Sequence, residues 1–274
     1  MRNSCIVVLL LMAGWIYPQR TPKIKGNREV TEIKEELQAF NAIELDADLD
    51  VELVKADTVG YGVVADDNLL DILKFEVKDS TLFIGSYYKI TAKKRLEITV
   101  FYNQLERVVQ KDGLIMAPNT IISDVFSINL LGNADMQLTA RASLIDIVME
   151  SNARGDFNVE SDSLHLQLKD KIDARVYFIG ETGSLEMSND SKLLLEGTLD
   201  SLAVGLADKS VLKAKLMESG TIVARMEDSS SAEVRPVEHL ELNASGASRT
   251  DLYGSAKISI VEFLDMAELR KRRE

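Results

Sequence analysis

A chain of 274 residues, 46% of them hydrophobic, is long enough to bury a substantial core, either as one elongated domain or as two compact ones. Its formal net charge of -12 argues against a nucleic-acid partner, because neutralising phosphates takes clustered Lys and Arg, and here these gather only in the last few residues.

The first twenty residues, MRNSCIVVLLLMAGWIYPQR, set Arg2 before an apolar run from Ile6 to Trp15 and end on Tyr17-Pro18-Gln19, the pattern of a secretory signal peptide (1–20). The run is shorter than the roughly 20 residues of a membrane-spanning helix. No other stretch approaches that length, so an exported protein with no stable membrane span after signal removal is expected. Cys5 is the only cysteine and precedes the run, whereas a lipid-attachment cysteine would follow it. Without it the mature chain has no disulfide and must be held by packing and hydrogen bonds.

Residues 21–104 read as an N-terminal cap with the first β-coils. FNAIELDADLDVELVKAD (40–57) alternates like strands, and ADDNLLDIL (65–73) reads as a short helical turn capped by an acidic residue. LKFEVKDSTLFIG and KRLEITVFY continue as strands.

From residue 105 the chain repeats itself. SLIDIVME, SLHLQLKD, SLEMSND, SLAVGLAD, TIVARMED, HLELNAS and KISIVEF start an apolar phase at Leu144, Leu164, Leu185, Leu202, Ile222, Leu240 and Ile258, with weaker precursors at Leu105 and Phe126. The gaps from Leu105 onward are 21, 18, 20, 21, 17, 20, 18 and 18 residues. Between these starts lies a second turn (LLGNAD, ESNARGD, KDKID, SNDSK, ADKSV, EDSSS, NASGAS), followed by another short strand. Spacing alone also fits an antiparallel sandwich. Direct repetition favours an all-β parallel β-helix of roughly 19-residue coils, each hiding its apolar face against the next, as one domain over 105–264 continuous with the cap. The basic residues 265–274 read as a solvated tail.

In such coils Leu164, Leu166 and Leu168 point inward while His165 and Gln167 face solvent. His239 also precedes a repeat leucine at a turn, so neither histidine is assigned chemistry. The sequence holds no Gly-x-Ser-x-Gly elbow, phosphate loop, His-Glu-x-x-His or paired-cysteine motif. No catalytic residue and no cofactor are assigned. The remaining candidate is an acidic ladder: Asp135, Asp156, Asp173, Asp190, Asp208 and Asp228 recur about once per repeat, and stacking at ~4.8 Å would align them into a column able to attract a divalent cation or a basic partner. The plainer reading is that turns favour Asp for its local backbone hydrogen bonds.

The phrases Gly26-Asn27, Phe40, Ile43, Asp50, Val51, Leu53 and Ala65-Asp66-Asp67-Asn68-Leu69-Leu70, with small polar turns in the repeats, resemble the bacterial family "putative auto-transporter adhesin, head GIN domain" over residues 26–262. The resemblance implies a right-handed β-helix with two sheets joined by tight turns. It also implies export in a Gram-negative bacterium, to periplasm or outer surface, and an adhesion or surface role without established enzyme activity. That family's turns often read Gly-Ser-Gly. Here Gly132-Asn133, Asn152 and Asn189 can supply the left-handed residue, while Lys171 and Lys209 suggest looser coils. No segment alternates like the strands of a membrane barrel, so the "auto-transporter" part of the label finds no counterpart here.

Three functions follow. The favoured one is a non-enzymatic envelope module binding a protein or polysaccharide along its faces. The second is a polysaccharide-active enzyme, suggested by fold analogy and by Arg154 and Arg175 beside Asp156 and Asp173. The third is a structural periplasmic protein. The ligand and the oligomeric state are left open.

Overall fold

The computed structural model describes residues 22–273. The signal peptide assigned to residues 1–20, with Cys5, lies outside them. The cap holds β1 (Lys23–Lys25), β2 (Val30–Glu36), β3 (Ala42–Leu45), β4 (Asp50–Lys55), β5 (Gly60–Asp66), a single helical turn α1 (Asp67–Leu70), β6 (Leu73–Lys78), β7 (Thr81–Ser86), β8 (Lys89–Ala92) and β9 (Leu96–Tyr102). Shorter strands β10 (Arg107–Gln110), β11 (Leu114–Ile122) and β12 (Val125–Leu130) lead into six long ones: β13 (Asp135–Met149), β14 (Arg154–Leu168), β15 (Asp173–Met187), β16 (Lys192–Leu206), β17 (Val211–Met226) and β18 (Ser231–Ala244). The chain closes with β19 (Arg249–Leu252), β20 (Lys257–Phe263) and β21 (Glu268–Lys271).

These strands wind into a β-solenoid of about nine turns with ~19-residue coils, as the repetition predicts. From β10 onward every pairing between coils is parallel. Each coil has two arms and one tight turn. The second turn of the sequence reading (LLGNAD and its equivalents) is the tight one, and the turn expected before each apolar start is a bend inside a continuous strand. In β14, Gly155, Phe157, Val159 and Ser161 face the core, Asp162 sits at the exposed bend, and Leu164, Leu166 and Leu168 resume the inward phase. A polar residue at the bend allows the alternation to slip by one and the strand to change sheet without losing its ladder.

The register regularises the uneven gaps. Ile145, Leu164, Gly183, Leu202, Ile222, Leu240 and Ile258 lie one above another, at offsets of 19, 19, 19, 20, 18 and 18 residues. Leu144 pairs with Ser163 and is 39% exposed, so Ile145 is the inward residue of that coil. Leu185 stacks on Leu166, and the rung above Leu164 belongs to Gly183, whose missing side chain is replaced by the methyl groups of Leu199 and Leu202. The 20-residue coil carries its extra residue as a bulge between Lys213 and Leu216, opposite Leu194 to Glu196.

The cap closes one end by reversing strand direction. Beyond β4 and β9 in one sheet, β5 and β2 run antiparallel to their neighbours, and beyond β7 in the other sheet so does β6. The β6–β7 hairpin turns on Asp79-Ser80, both at positive φ as a two-residue hairpin requires. Asp66 corrects the expected helix cap. Its side chain makes no cap hydrogen bond to α1; buried, it accepts the backbone N–H groups of Lys94 (3.1 Å), Arg95 (3.2 Å) and Arg28 (3.2 Å). Asn68 holds the same strap through its Oδ1 on the Asn27 N–H (2.9 Å) and its Nδ2 on the Lys25 carbonyl (2.9 Å). At the other end, the basic segment read as a solvated tail instead contributes β21, which extends the ladder on β19.

Candidate functional site

With the core filled by apolar columns, functional chemistry must come from the outward residues of the two arms. The six predicted aspartates all point outward or occupy turns, yet they do not share a column. One coil spans about 19 residues, whereas Asp135 and Asp156 are 21 apart, so Asp135 pairs with Arg154 and Asp156 with Gln137. The first column runs Asp135, Arg154, Asp173, Lys192; the next runs Gln137, Asp156, Arg175, Leu194, Lys213. Asp208 and Asp228 hold left-handed turn positions, and Asp190 follows one at Asn189, in a small hollow with Lys171 and Lys209. The expected acidic column therefore becomes four columns, and in the first of them acid and base alternate from coil to coil. Arg175 Nη1 stands 3.6 Å from Asp156 Oδ2 with both side chains more than half exposed, an arrangement of little energetic weight. Asp135, Asp156 and Asp173 join Arg154, Arg175, Lys192 and Lys213 around a shallow trough of about 500 Å³ with mixed charge. Among the described residues no three His, Cys, Asp or Glu side chains are grouped to hold a metal ion.

The histidines keep their expected places. His165 is on the outer face, and its Nδ1 lies 2.7 Å from Oδ1 of Asp146, its register partner one coil below. That partner is legible only from the coil offset. His239 is half-buried at the start of the second arm, between Thr221 and Lys257.

The second arm carries a hollow that the sequence reading did not find. Its two outward columns are Asp146, His165, Ser184, Ala203, Val223, Glu241, and Val148, Gln167, Glu186, Gly205, Arg225, Asn243. At Ala203 and Gly205 the side chains nearly vanish, lowering the face into a trough of about 570 Å³ lined by residues of six successive coils, from Gln167 to Val261. Glu186 leans into this space: a Cβ on Gly205 would stand 2.2 Å from its Oε2. Arg225 forms the opposite rim, its Nε donating to Glu227 Oε1 at 2.7 Å. Gln167, Glu241 and Asn243 supply further donors and acceptors around an aliphatic floor that includes Val223, 43% exposed. The sequence signal was two small residues at outward positions of one strand, Ala203-Val204-Gly205, surrounded by long polar ones in adjacent coils. Such a surface can hold an extended, uncharged or weakly charged chain by repeated hydrogen bonds over a flat apolar base.

The family model described as "Putative auto-transporter adhesin, head GIN domain" matches residues 39–155 and again 143–256. The two successive matches fall on the cap with its first coils and on the regular coils. No match is found among curated proteins. Among solved structures, a "putative adhesin" from Parabacteroides merdae superposes with a TM-score of 0.68 at 16% identity, covering 92% of this chain and 99% of that one. A "putative adhesin" from Parabacteroides distasonis gives 0.63 at 18% identity, covering 91% and 100%. A "Putative lipid binding protein" from Parabacteroides distasonis gives 0.62 at 17% identity, covering 91% and 99%. At these identities the likeness is one of fold. Among the described residues no helix is long and apolar enough to cross a membrane.

Proposed function

We propose, because this chain belongs to the family "Putative auto-transporter adhesin, head GIN domain", that it works as an adhesin-like binding module, exported to the bacterial envelope, and that it binds without turning its partner over. The partner is an extended polysaccharide or protein segment lying in the second-arm trough. The observation that carries this reading is the trough itself: Gln167, Glu186, Arg225, Glu241 and Asn243 project around Ala203 and Gly205 at intervals set by the coil spacing, so a chain-like ligand meets similar polar groups rung after rung. Catalysis asks for converging acid, base and electrophilic groups; here the polar groups are distributed along a face.

The test is a glycan-array and extracellular-matrix binding screen with the purified protein, paired with labelling of intact cells. A hit is expected to weaken at least tenfold in an Arg225→Ala, Asn243→Ala double variant, since lost rim hydrogen bonds at about 1 kcal/mol each combine to that order. Depolymerised glycan would instead favour an enzyme. A protein that binds nothing and is unlabelled on intact cells would favour a structural periplasmic role.

A further inference from the structure

The two ends of the solenoid are built differently. At the cap, Leu69, Ile72 and Tyr61 are buried, with Ile24 of β1 and Ile90 of β8 packed against them. The edge strand there, β2, carries Glu32, Lys34, Glu35 and Glu36, and Glu35 turns toward the core to accept the Tyr61 hydroxyl at 2.8 Å. Charges on an edge, particularly one directed inward, oppose pairing with another sheet.

Among the described residues the far end has no such closure. Ile258, Ile260 and Phe263 of β20 stand directly above Leu240, Leu242 and Ala244, which are 0%, 0% and 1% exposed, yet they themselves are 42%, 52% and 41% exposed. Val261, Leu264 and Met266 add exposures of 60%, 52% and 73%. Ile258, Ile260 and Phe263 hold core positions, and among the described residues no coil lies above them; Val261 is at a bulge, and Leu264 and Met266 sit on the tight turn that follows. Among the described residues β20 pairs only with β18 and β21 only with β19, so both also present free backbone groups on their outer edges.

We infer that this end docks onto the same end of a second copy, making a two-fold dimer in which two solenoids abut tip to tip. The size of the patch is the first argument. At these exposures Ile258, Ile260 and Phe263 offer on the order of 300 Å² per end and the flanking Val261, Leu264 and Met266 roughly as much again, so two ends would bury at most on the order of 1,200 Å², the lower bound of a specific interface, and each end leaves open as much apolar surface as the largest patch of a typical monomer. The choice of partner is the second. The cap end of this chain is closed and lined by charges of both signs (Glu32, Lys34, Glu35 and Glu36 on β2; Lys74, Glu76 and Lys78 on β6), whereas another copy of β20 matches in apolarity and cross-section. A two-fold axis perpendicular to the solenoid sets the facing edge strands antiparallel, so their free N–H and C=O groups can pair, and the isologous contact closes at two copies. Charge tunes the contact. Residues 257–273 hold Lys257, Arg270, Lys271, Arg272 and Arg273 against Glu262, Asp265 and Glu268, so two ends repel weakly and salt should tighten the dimer by screening.

Sedimentation velocity over roughly 1–100 µM, with small-angle scattering for shape, tests this. The expected result is a monomer–dimer equilibrium whose dimer has about twice the monomer's maximum length and tightens between about 0.1 and 1 M salt. Ile260→Lys, at a site already half exposed, should raise the dissociation constant at least tenfold with an unchanged circular dichroism spectrum, and Met266→Glu should act in the same direction. Three results would each overturn the inference: a monomer throughout the range; a dimer indifferent to both substitutions; or open-ended rods abolished by Glu32→Lys with Glu36→Lys, which would mean tip-to-cap stacking.

Discussion

Tyr61 ties the cap together through one buried phenol. Its ring stacks on Phe75 at 3.9 Å between centroids, and its hydroxyl donates to Glu35 Oε2. Burial, then the hydrogen bond to Glu35 and that carboxylate's charge, push the Tyr61 pKa up from 10.0 to about 12. The folded state thus holds this proton more tightly than the unfolded chain. Its contribution to stability is complete below pH 10 and drains away as pH rises toward 12. Tyr61→Phe should lower stability by about 1 kcal/mol at neutral pH through the lost hydrogen bond, and should flatten the alkaline fall of Tm, leaving the share of Tyr102, whose pKa burial also raises. Melts from pH 7 to 11.5 decide it: an alkaline limb as steep as wild type would place the titrating group elsewhere. At this scale sequence reading succeeded where period 2 governs and failed where contacts are long-range. Strand alternation alone places His165 outward. An acidic residue before a helical turn is a local signal for a cap, but the Asp66 carboxylate bonds the N–H groups of Arg28, Lys94 and Arg95, which no local pattern announces. Burial raises the pKa of that carboxyl, and the three N–H donors with the Lys94 charge more than reverse the effect, holding it below the ordinary range.

The tight turns form the one column in which the sequence and the ladder agree most closely. Gly132, Ser151, Asp170, Asn189, Asp208, Asp228, Gly246 and Asp265 all take positive φ, between 57° and 71°. The coils with Lys171 and Lys209 turn as tightly as the others, because those lysines follow the left-handed residue instead of occupying it. An L-residue there costs roughly 1–2 kcal/mol, and aspartate recovers part of it. Asp208 Oδ2 accepts the Asn189 N–H at 3.0 Å, Asp228 Oδ2 the Asp208 N–H at 3.3 Å, and Asp265 Oδ2 the Gly246 N–H at 3.1 Å, each reaching back one coil. This gives the turn aspartates of the sequence a structural duty. It also yields an ordering: Asp208→Ala loses the hydrogen bond and keeps the strain, costing about 2 kcal/mol, whereas Asp208→Gly loses the bond but relieves the strain and costs less. Thermal melts showing alanine as stable as glycine would contradict this account of the column. The turns were legible because Gly, Asn and Asp mark them. An apolar residue beside a bend imitates the start of an inward run at Leu144, where Ile145 fills the rung; Leu185 does point inward, but the ladder sets it above Leu166 and gives the rung above Leu164 to Gly183.

Taken whole, the molecule is a stack in which each coil from β13 to β18 pairs only with the coils before and after it, so stability is a sum of coil and interface terms with no long-range brace. The solenoid class could be read from the repetition, since every ~19 residues the same surface must find the same partner; the fate of the ends could not, because a terminal coil obeys the same inward pattern as an internal one while lacking its neighbour. That asymmetry dictates where the stack opens first. Coils β14 to β16 are covered on both sides, and the cap buries Leu53, Val63 and Val100 completely. Among the described residues the final coil is covered on one side only, and every residue of β20 is exposed. Opening it releases a single interface, whereas opening an internal coil breaks two. Native-state hydrogen exchange should therefore rank the ladder amides of β20 and β21 fastest, those of β2 and β5 slower, and those of β14 to β16 slowest, near the global unfolding limit. Tip-to-tip dimerisation adds a condition to that order: protection in β20 and β21 should climb with protein concentration, because an end engaged by a second copy must dissociate before it frays, while β14 to β16 stay unchanged. Uniform exchange along the stack would mean that the coils unfold as one cooperative unit and that the open end carries no separate weakness.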